Sequence, residues 1–478
     1  MEGWWRHAVV YQIYPRSFQD SDGDGIGDLG GVVSRLDHLA WLGVDALWLS
    51  PIYPSPGADL GYDITDHTAV ASELGTLEDL DRLVAAAHAR GIRVLLDLVP
   101  NHTSIEHRWF REHPDWYVWA EGGPANNWLA TFGGPAWTRD DTSGRWYLHS
   151  FYPEQPDLDW SVPEVRDVFA EVIRFWLGRG VDGFRVDAVD RLVKDPELRD
   201  DPPASEPFPL PLPQDYARLE HRHSVDATDA SVVLSALREA AGEAALVGEV
   251  YLPTARLHHY LAYLDLAFAF EFLHAPPEAE RLSEAISASS ALERIAWVLG
   301  NHDFPRPASR FGERLAPAAA LILLTLPGAA FIYQGDEIGM TNGPGAHPPI
   351  DRAGRDSFRH PMQWDASSSG GFTSGAAWLP PIDPERRNVA DQRDREGSML
   401  RLHRELISLR RELGPGIDAI EAEGDVLAYR RGAHLVAANL GSRTRPAPGE
   451  GEVLLTTLPA RHRRGVLAPG EGTVAAIS

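Results

Sequence analysis

Short apolar runs alternate with amphipathic segments along most of the chain. The amphipathic segments, for example 31–42, 77–90, 163–177 and 230–241, carry apolar residues at helical spacing. The apolar runs are rich in Val, Ile, Leu and aromatic residues, which is typical of buried strands. Eight such runs are found, at 9–14, 46–50, 92–99, 183–188, 245–250, 266–270, 295–300 and 329–334. Eight strand–helix units predict a closed (β/α)8 barrel, whose functional residues follow the carboxyl ends of the strands.

The spacing of the predicted strands is uneven, and it indicates the domain organisation. Segment 101–160, between the third and fourth strands, is crowded with Trp, Pro and Gly and is predicted to be an irregular subdomain inserted in the barrel. Segments 1–100 and 161–413 then form the barrel. The remaining segment, 414–478, alternates short β-like stretches with Gly and Pro turns. It is predicted to be a C-terminal antiparallel β-sandwich.

Composition narrows the functional classes. The 478 residues include no Cys, which excludes disulfides, thiolate nucleophiles and zinc–thiolate sites. The 69 Asp and Glu exceed the 44 Lys and Arg and give a net charge of −25, so nucleic acids and anionic membranes are disfavoured as partners. The N-terminus lacks the apolar region of a signal peptide, and no apolar run reaches membrane-spanning length. We therefore expect a cytoplasmic protein, and its oligomeric state stays open.

Three acidic residues lie where a barrel places catalytic groups. Asp187 in GFRVDAV, Glu249 in LVGEVY and Asp303 in LGNHDFPR fall at or just after the ends of three different strands. One such residue alone could equally cap the following helix. Three of them on separate strands favour catalysis, because a carboxylate at the end of an apolar strand is costly to bury unless it is paired or used.

Two of these carboxyls are predicted to have opposite pKa shifts. Arg185 precedes Asp187 by two positions, so both side chains point the same way on a strand, and the cation is expected to lower the pKa of Asp187. Glu249 lies in an apolar strand, and burial is expected to raise its pKa. An ionised nucleophile beside a protonated acid is the apparatus of glycoside hydrolysis.

The motifs DLVPNHTS, GFRVDAV, GEVY and GNHD occur in that order and resemble the four signature regions of the alpha-amylase family of glycoside hydrolases. Further motifs, AVVYQIYPRSFQDSDGDGIGDLGG, GYDI, EQPDLDW and RHPMQWD, are similar to those of its oligo-1,6-glucosidase and alpha-glucosidase branch. The resemblance covers residues 4 to about 413. It implies the barrel fold predicted above and a small-molecule oligosaccharide or glucoside as the substrate.

The resemblance also implies roles for matching residues. Asp187 is then the nucleophile, Glu249 the general acid and base, and Asp303 the carboxylate that orients the substrate. The residues implied for binding the terminal glucose are Asp59, Tyr62, His102, Arg185, His302 and Arg359. Taken singly, these residues could also serve in packing or turns.

Three of the binding residues have more specific implied roles. Tyr62 stacks on the sugar ring. Asp59 in DLGYD and Arg359 in RHPMQW pair to grip the terminal glucose. A pocket closed in this way admits only the end of a saccharide chain, which implies exo-action on short substrates.

The segment DSDGDGIGD is a candidate metal loop. Its oxygen donors, at positions 1, 3, 5, 7 and 9 of a calcium loop, are Asp20, Asp22, Asp24, the carbonyl of Ile26 and Asp28. Gly25 occupies the turn position, while Gly31 stands where an EF-hand has its bidentate Glu. The resemblance implies a structural Ca²⁺ or Mg²⁺ here, and a solvated acidic turn is the alternative. No organic cofactor is expected.

The expected activity is that of a retaining exo-acting alpha-glucosidase that works by double displacement. Ala188, after the nucleophile, favours α-1,4 over α-1,6 linkages by the family pattern. One alternative is a transglucosidase, which would pass the glucosyl unit to a sugar or alcohol acceptor through the same intermediate. An alternative of another class is a non-catalytic barrel that acts as a binding module, and the three intact carboxyls argue against it.

Overall fold

The computed structural model describes residues 3–213 and 215–477. All eight predicted strands form, and we number them β1 to β8 in chain order. They are β1 Val9–Ile13, β2 Ala46–Leu49, β3 Arg93–Leu98, β4 Gly183–Val186, β5 Ala245–Gly248, β6 Leu266–Phe268, β7 Ile295–Val298 and β8 Ala329–Tyr333. Each strand pairs in parallel with the next, and β8 pairs with β1. The predicted (β/α)8 barrel is therefore confirmed as a closed barrel.

Alternation along the strands divides the core into two layers. Val10 and Trp48 belong to an apolar cluster contributed by alternate strand residues inside the barrel. Their neighbours Tyr11 and Leu47 belong to a second cluster shared with the surrounding helices. Because successive side chains of a strand point to opposite faces, continuous apolar runs fill both layers at once.

Helices surround the barrel, including those predicted from the helical spacing. Clear local signals start some of them: Thr76 and Asp79 form a capping box, and Asp28 accepts from the Gly31 N–H at the start of the first helix. The helices are Leu29–Leu42, Leu77–His88, Arg108–Glu112, Pro163–Gly178, Ser231–Ala241, Phe270–His274, Ala279–Ser290, Pro307–Arg310, Ala316–Thr325, Val389–Arg393 and Met399–Arg410. Within residues 3–213 and 215–477, no helix combines the length and the hydropathy needed to cross a membrane.

The long segment after β3 contains its own small sheet. Three short antiparallel strands form it, at Trp119–Ala120, Trp137–Arg139 and Trp146–Leu148. A separate apolar cluster that includes Trp128 and Trp137 packs beside this sheet. Tryptophan burial, rather than extensive regular structure, holds this segment together.

The C-terminal region is an antiparallel β domain, as predicted. A five-stranded sheet is formed by Asp418–Glu423, Val426–Arg431, His434–Asn439, Glu452–Thr456 and Gly472–Ala476. Its second layer is only a two-stranded ribbon, Arg445–Pro446 with Val466–Leu467. Val426 and Ala428 pack with Leu467 of the ribbon, whereas Leu427 and Tyr429 join the main core. Because successive side chains point to opposite faces of the sheet, one face packs against the ribbon and the other against the main core.

Candidate active site

The three candidate catalytic carboxyls line one cavity at the carboxyl ends of the barrel strands. Asp187 directly follows β4, Glu249 directly follows β5, and Asp303 lies in the loop after β7. The cavity has a volume of about 330 Å³. Other predicted residues that line it are Asp59, Tyr62 and His102. Strands that meet at one edge bring together residues more than a hundred positions apart in sequence.

Arg185 lies beneath these carboxyls, fully buried on β4. Its Nη1 donates to Asp97 Oδ1 at 2.8 Å and to Asp187 Oδ1 at 2.5 Å, while its Nη2 lies 2.8 Å from Glu249 Oε2. Its guanidinium carbon lies 5.2 Å from the centre of the Trp48 ring. One cation therefore joins three carboxyls, so its charge is shared among them.

The predicted lowering of the Asp187 pKa is wrong. Burial raises the pKa of Asp187 to about 7, although Arg185 opposes the shift. The physical reason is that Asp187 is almost completely enclosed while sharing Arg185 with Asp97 and Glu249. Sequence spacing showed the Arg185 contact but not the degree of burial.

The predicted rise in the Glu249 pKa is present. Burial raises it to about 8; Arg185 opposes this shift, and the negative charges of Asp187 and Asp303 add to it. The Ala188 N–H donates to Glu249 Oε2 at 3.1 Å, which fixes the carboxyl next to Asp187. Glu249 can therefore hold a proton near neutral pH, as a general acid must.

Asp303 is surrounded by cationic and polar groups. Its Oδ1 accepts from Arg355 Nη1 at 2.8 Å and from Arg359 Nη2 at 3.0 Å, and its Oδ2 lies 3.1 Å from His302 Nε2. Burial alone would raise the pKa of Asp303, but the charges of Arg355 and Arg359 lower it below the usual range. Asp303 is therefore held ionised.

The predicted pairing of Asp59 with Arg359 needs correction. Asp59 Oδ1 accepts directly from Arg355 Nη2, and its Oδ2 accepts from Gln155 Nε2 at 3.1 Å. Arg359 instead donates from Nε to the His302 carbonyl at 2.8 Å and contacts Asp303. Arg355 lines the cavity, while Arg359 is fully buried behind Asp303. Arg355 begins a short 3₁₀ helix, Arg355–Phe358, and Arg359 directly follows it. One such turn gives too little periodicity to tell which arginine reaches the cavity.

Tyr62 and two neutral histidines complete the predicted set. The Tyr62 hydroxyl donates to Asp97 Oδ2 at 3.0 Å and lies 2.6 Å from His302 Nε2. The Tyr62 and His302 rings are parallel within 5°, with their centres 5.4 Å apart. Burial lowers the pKa of His102 to about 4 and that of His302 to about 3. Both imidazoles are therefore neutral near pH 7, and His302 supports Tyr62 from outside the cavity.

Three residues of this network were not singled out from the sequence. Asp97 on β3 binds Arg185 and Tyr62, Arg355 binds Asp59 and Asp303, and Gln155 binds Asp59. Two of them stand inside recognised motifs, DLVPNHTS and EQPDLDW, and Arg355 stands just before RHPMQWD. A search for buried polar residues within and next to those motifs could have found them.

The candidate metal loop brings together part of its predicted donor set. Carboxylate oxygens of Asp20, Asp22 and Asp28 lie within 4.8 Å of one another, and Asp24 is outside this group. Burial acts to raise the pKa of Asp20, but hydrogen bonds from Thr373 and from the N–H groups of the loop lower it. Acidic oxygens that converge in this way fit a hard divalent cation.

Backbone geometry of the loop depends on Gly25. Its φ is +93°, and a Cβ there would lie 1.9 Å from the Ala376 carbonyl oxygen. The Gly25 N–H donates to Asp20 Oδ2 at 2.8 Å. Glycine at this position therefore lets the loop turn tightly and pack against the segment around Ala376. The Ile26 N–H donates to Asp24 Oδ1 at 2.7 Å, so Asp24 supports the turn.

Comparisons with known proteins agree with this geometry. The family model described as "Alpha amylase, catalytic domain" matches residues 12–415. A probable alpha-glucosidase of Rhizobium meliloti is 39% identical, over 90% of this chain and 87% of its own. An oligo-1,6-glucosidase of Halalkalibacterium halodurans is 36% identical, over 90% of this chain and 88% of its own. The solved structure of the alpha-glucosyl transfer enzyme XgtA matches with a TM-score of 0.92 at 35% identity, over 99% of this chain and 100% of its own. Because the family model spans most of the chain, the protein belongs to the alpha-amylase family of glycoside hydrolases.

Proposed function

We propose that the protein is a retaining, exo-acting alpha-glucosidase that releases glucose from the non-reducing end of short α-glucosides. The observation that carries this proposal is the set of three carboxyls in one cavity, each in a different electrostatic setting. Asp303 is held ionised, the pKa of Asp187 is raised to about 7, and the pKa of Glu249 is raised to about 8. The pKa of Glu249 is the higher of the two, so between pH 7 and 8 an ionised Asp187 beside a protonated Glu249 is favoured, as a nucleophile and a general acid require.

The reaction proceeds in two displacements. Glu249 donates its proton to the glycosidic oxygen while Asp187 attacks the anomeric carbon, and the aglycone leaves with the proton. Glu249 then removes a proton from water, which attacks the same carbon and restores the Asp187 carboxylate. Asp187 and Glu249 contact two nitrogens of one guanidinium, so they lie close together, as retaining enzymes require. The negative charge of Asp303 favours the positive charge that develops on the sugar ring.

Exo-action is supported by the deep end of the cavity. Asp59 and Arg355 are both at least nine-tenths buried, and they lie beside Asp303. A terminal glucose placed there has its hydroxyls facing an ion pair and has no path onward for a longer chain. Tyr62 and His102 line the same region.

The linkage preference is proposed to be α-1,4. Ala188 has φ +47° and ψ +43°, and its N–H holds Glu249. In the branch that the chain resembles, Ala at this position accompanies a preference for α-1,4 linkages. The matched relatives include an oligo-1,6-glucosidase, so the preference needs a direct comparison of maltose with isomaltose.

Transglucosylation is the second candidate function. The match to the alpha-glucosyl transfer enzyme XgtA, with a TM-score of 0.92, favours it. Both outcomes share the covalent intermediate and differ only in whether water or another hydroxyl attacks it. Product analysis over increasing acceptor concentration tests hydrolysis against transfer. Hydrolysis releases two glucose molecules for each maltose cleaved, whereas transfer releases one and places the other glucosyl unit in a new product. We expect a ratio near two, and a ratio near one would overturn the hydrolase assignment.

The loop around Asp20, Asp22 and Asp28 is proposed to hold a structural Ca²⁺ or Mg²⁺. The cation would offset the mutual repulsion of the carboxylates and tie the loop to the first barrel helix, where Asp28 is the N-cap. The reaction itself needs no organic cofactor, and the neutral substrate suits a protein of strongly negative charge. A thermal unfolding midpoint that rises with added Ca²⁺ and falls with a chelator is expected. An unchanged midpoint would overturn the metal proposal.

A further inference from the structure

The mouth of the cavity differs from its deep end in chemistry. Its wall on the side of the loop after β4 consists of Pro211, Leu212 and Pro213, and the rings of Tyr251 and Phe304 adjoin it. Pro211 and Pro213 are exposed, which places this wall at the opening. Apolar groups therefore line the part of the cavity next to its opening.

This wall is held in place by the groups behind it. The Tyr251 hydroxyl donates to the Pro211 carbonyl at 2.9 Å, and Leu210 is buried in the cluster that fills the barrel interior. The Tyr251 and Phe304 rings are parallel within 5°, with their centres 6.3 Å apart. The loop after β4 is thus pinned immediately beside the residues that follow Glu249 and Asp303 in sequence.

Two aromatic rings of the cavity wall lie against deep-end residues, one beside the Arg355 guanidinium and the other beside His102. The Phe132 and Phe151 rings, from the segment inserted after β3, line the cavity with their centres 5.6 Å apart. Arg191 also lies there, but its guanidinium stacks on Phe151 and donates to the Tyr216 hydroxyl. Asp190 accepts from the Tyr251 N–H at 3.2 Å. Asp190 Oδ2 and Thr131 Oγ1 are buried and accept no hydrogen bond from the described residues, so few polar atoms on this side of the cavity are open to a ligand.

We propose that this mouth is an aglycone subsite for apolar groups, so that the enzyme prefers glucosides of aryl or alkyl alcohols, and transfers to such alcohols, over oligosaccharides. This inference rests on the proposed alpha-glucosidase function. A sugar at the mouth would lose water from several hydroxyls and find few free hydrogen-bonding groups in exchange. An apolar aglycone instead buries its surface against Leu212, Tyr251 and Phe304.

The test compares benzyl α-glucoside, methyl α-glucoside and maltose as substrates of the intact enzyme. Benzyl and methyl alcohols have similar acidity, so the comparison reports binding of the aglycone rather than leaving-group activation. We expect kcat/KM for benzyl α-glucoside to exceed that for methyl α-glucoside by about tenfold or more, and to exceed that for maltose. Equal values for the two glucosides, or a higher value for maltose, would overturn the inference while leaving the alpha-glucosidase function intact. Hydrolysis of none of the three would overturn both.

A matched pair of variants locates the effect. Leu212→Asn should lower the benzyl-to-methyl ratio by about threefold or more, because it places an amide in the apolar wall. Leu454→Asn changes a leucine that is 46% exposed on the C-terminal sheet and should leave the ratio unchanged. Equal ratios in the two variants would place the preference elsewhere and overturn the assignment of this wall.

Discussion

The deep end of the cavity and its mouth differ in chemistry. Charged residues line the deep end, and they either follow barrel strands or bind to residues that follow them. Apolar side chains on long loops form the mouth. Asp187 and Glu249 belong to the first region, and Pro211, Leu212 and Pro213 belong to the second. In the deep end every carboxyl has a named partner, and the distances lie near 3 Å. In the mouth the contacts are ring against ring and apolar side chain against loop.

The deep end holds the groups that carry out the reaction, and the mouth holds the groups that select the substrate. The barrel strands fix the catalytic groups because their closed hydrogen-bonding leaves little freedom at the strand ends. The loops can vary without disturbing those strands, so the identity of the aglycone is set where the scaffold is least constrained. Changes in the deep end should therefore reduce every reaction, and changes in the mouth should alter preference.

The largest effect is expected from Asp187→Asn, which removes the nucleophile from the deep end. Turnover of p-nitrophenyl α-glucoside should fall by at least about 10³-fold, because an amide cannot form the glucosyl ester. Circular dichroism should show an unchanged fold. Asp141→Asn, at a side chain 94% exposed, is the control and should keep full activity. Substantial residual activity in Asp187→Asn would show that another group is the nucleophile.

Arg355→Ala is expected to have the next largest effect. The substitution removes a direct partner of both Asp59 and Asp303, and leaving buried carboxylates short of a partner costs about 3 kcal/mol. We expect kcat/KM on maltose to fall about 100-fold, measured by glucose release. Arg352→Ala, three positions earlier with a side chain 47% exposed, should change it less than about twofold. Similar losses in both variants would contradict the assignment of Arg355 to the glucose pocket.

The pH dependence of kcat/KM should show two limbs set by the deep end. As the pH falls below about 7, Asp187 gains a proton and cannot attack the sugar. As the pH rises above about 8, Glu249 loses the proton that it must donate. Each limb should approach a tenfold loss per pH unit away from the optimum. A profile that is flat from pH 5 to 7 would mean that Arg185 keeps Asp187 ionised despite its burial.

Ala188→Val should produce the smallest change. Valine at φ +47° is strained, and it would shift the backbone N–H that holds Glu249. We expect the maltose-to-isomaltose ratio of kcat/KM to fall a few-fold, measured by glucose release from each sugar. An unchanged ratio would remove Ala188 as a determinant of linkage.

The sequence predicted the deep end better than the mouth for physical reasons. Apolar runs of strand length determine where a strand ends, so Asp187 and Glu249 could be placed on one edge before the fold was known. The degree of burial depends on the whole assembly, and for this reason the direction of the Asp187 pKa was predicted wrongly. Arg355 begins a single 3₁₀ turn, and the wall around Leu212 lies in an irregular loop. Neither gives the periodicity that would relate a residue to the cavity it faces.

The central claim is that Asp187 forms a covalent bond to the glucosyl unit. Incubation with 5-fluoro-α-glucosyl fluoride, followed by mass spectrometry of proteolytic peptides, tests it most directly. The fluorine at C5 slows both displacements, and the good fluoride leaving group at C1 speeds the first, so the covalent intermediate accumulates. We predict one added fluoroglucosyl group on the peptide that contains Asp187, and none on the peptides that contain Glu249 or Asp303. Label on another carboxyl, or turnover of the reagent with inversion and no label, would contradict the proposed mechanism.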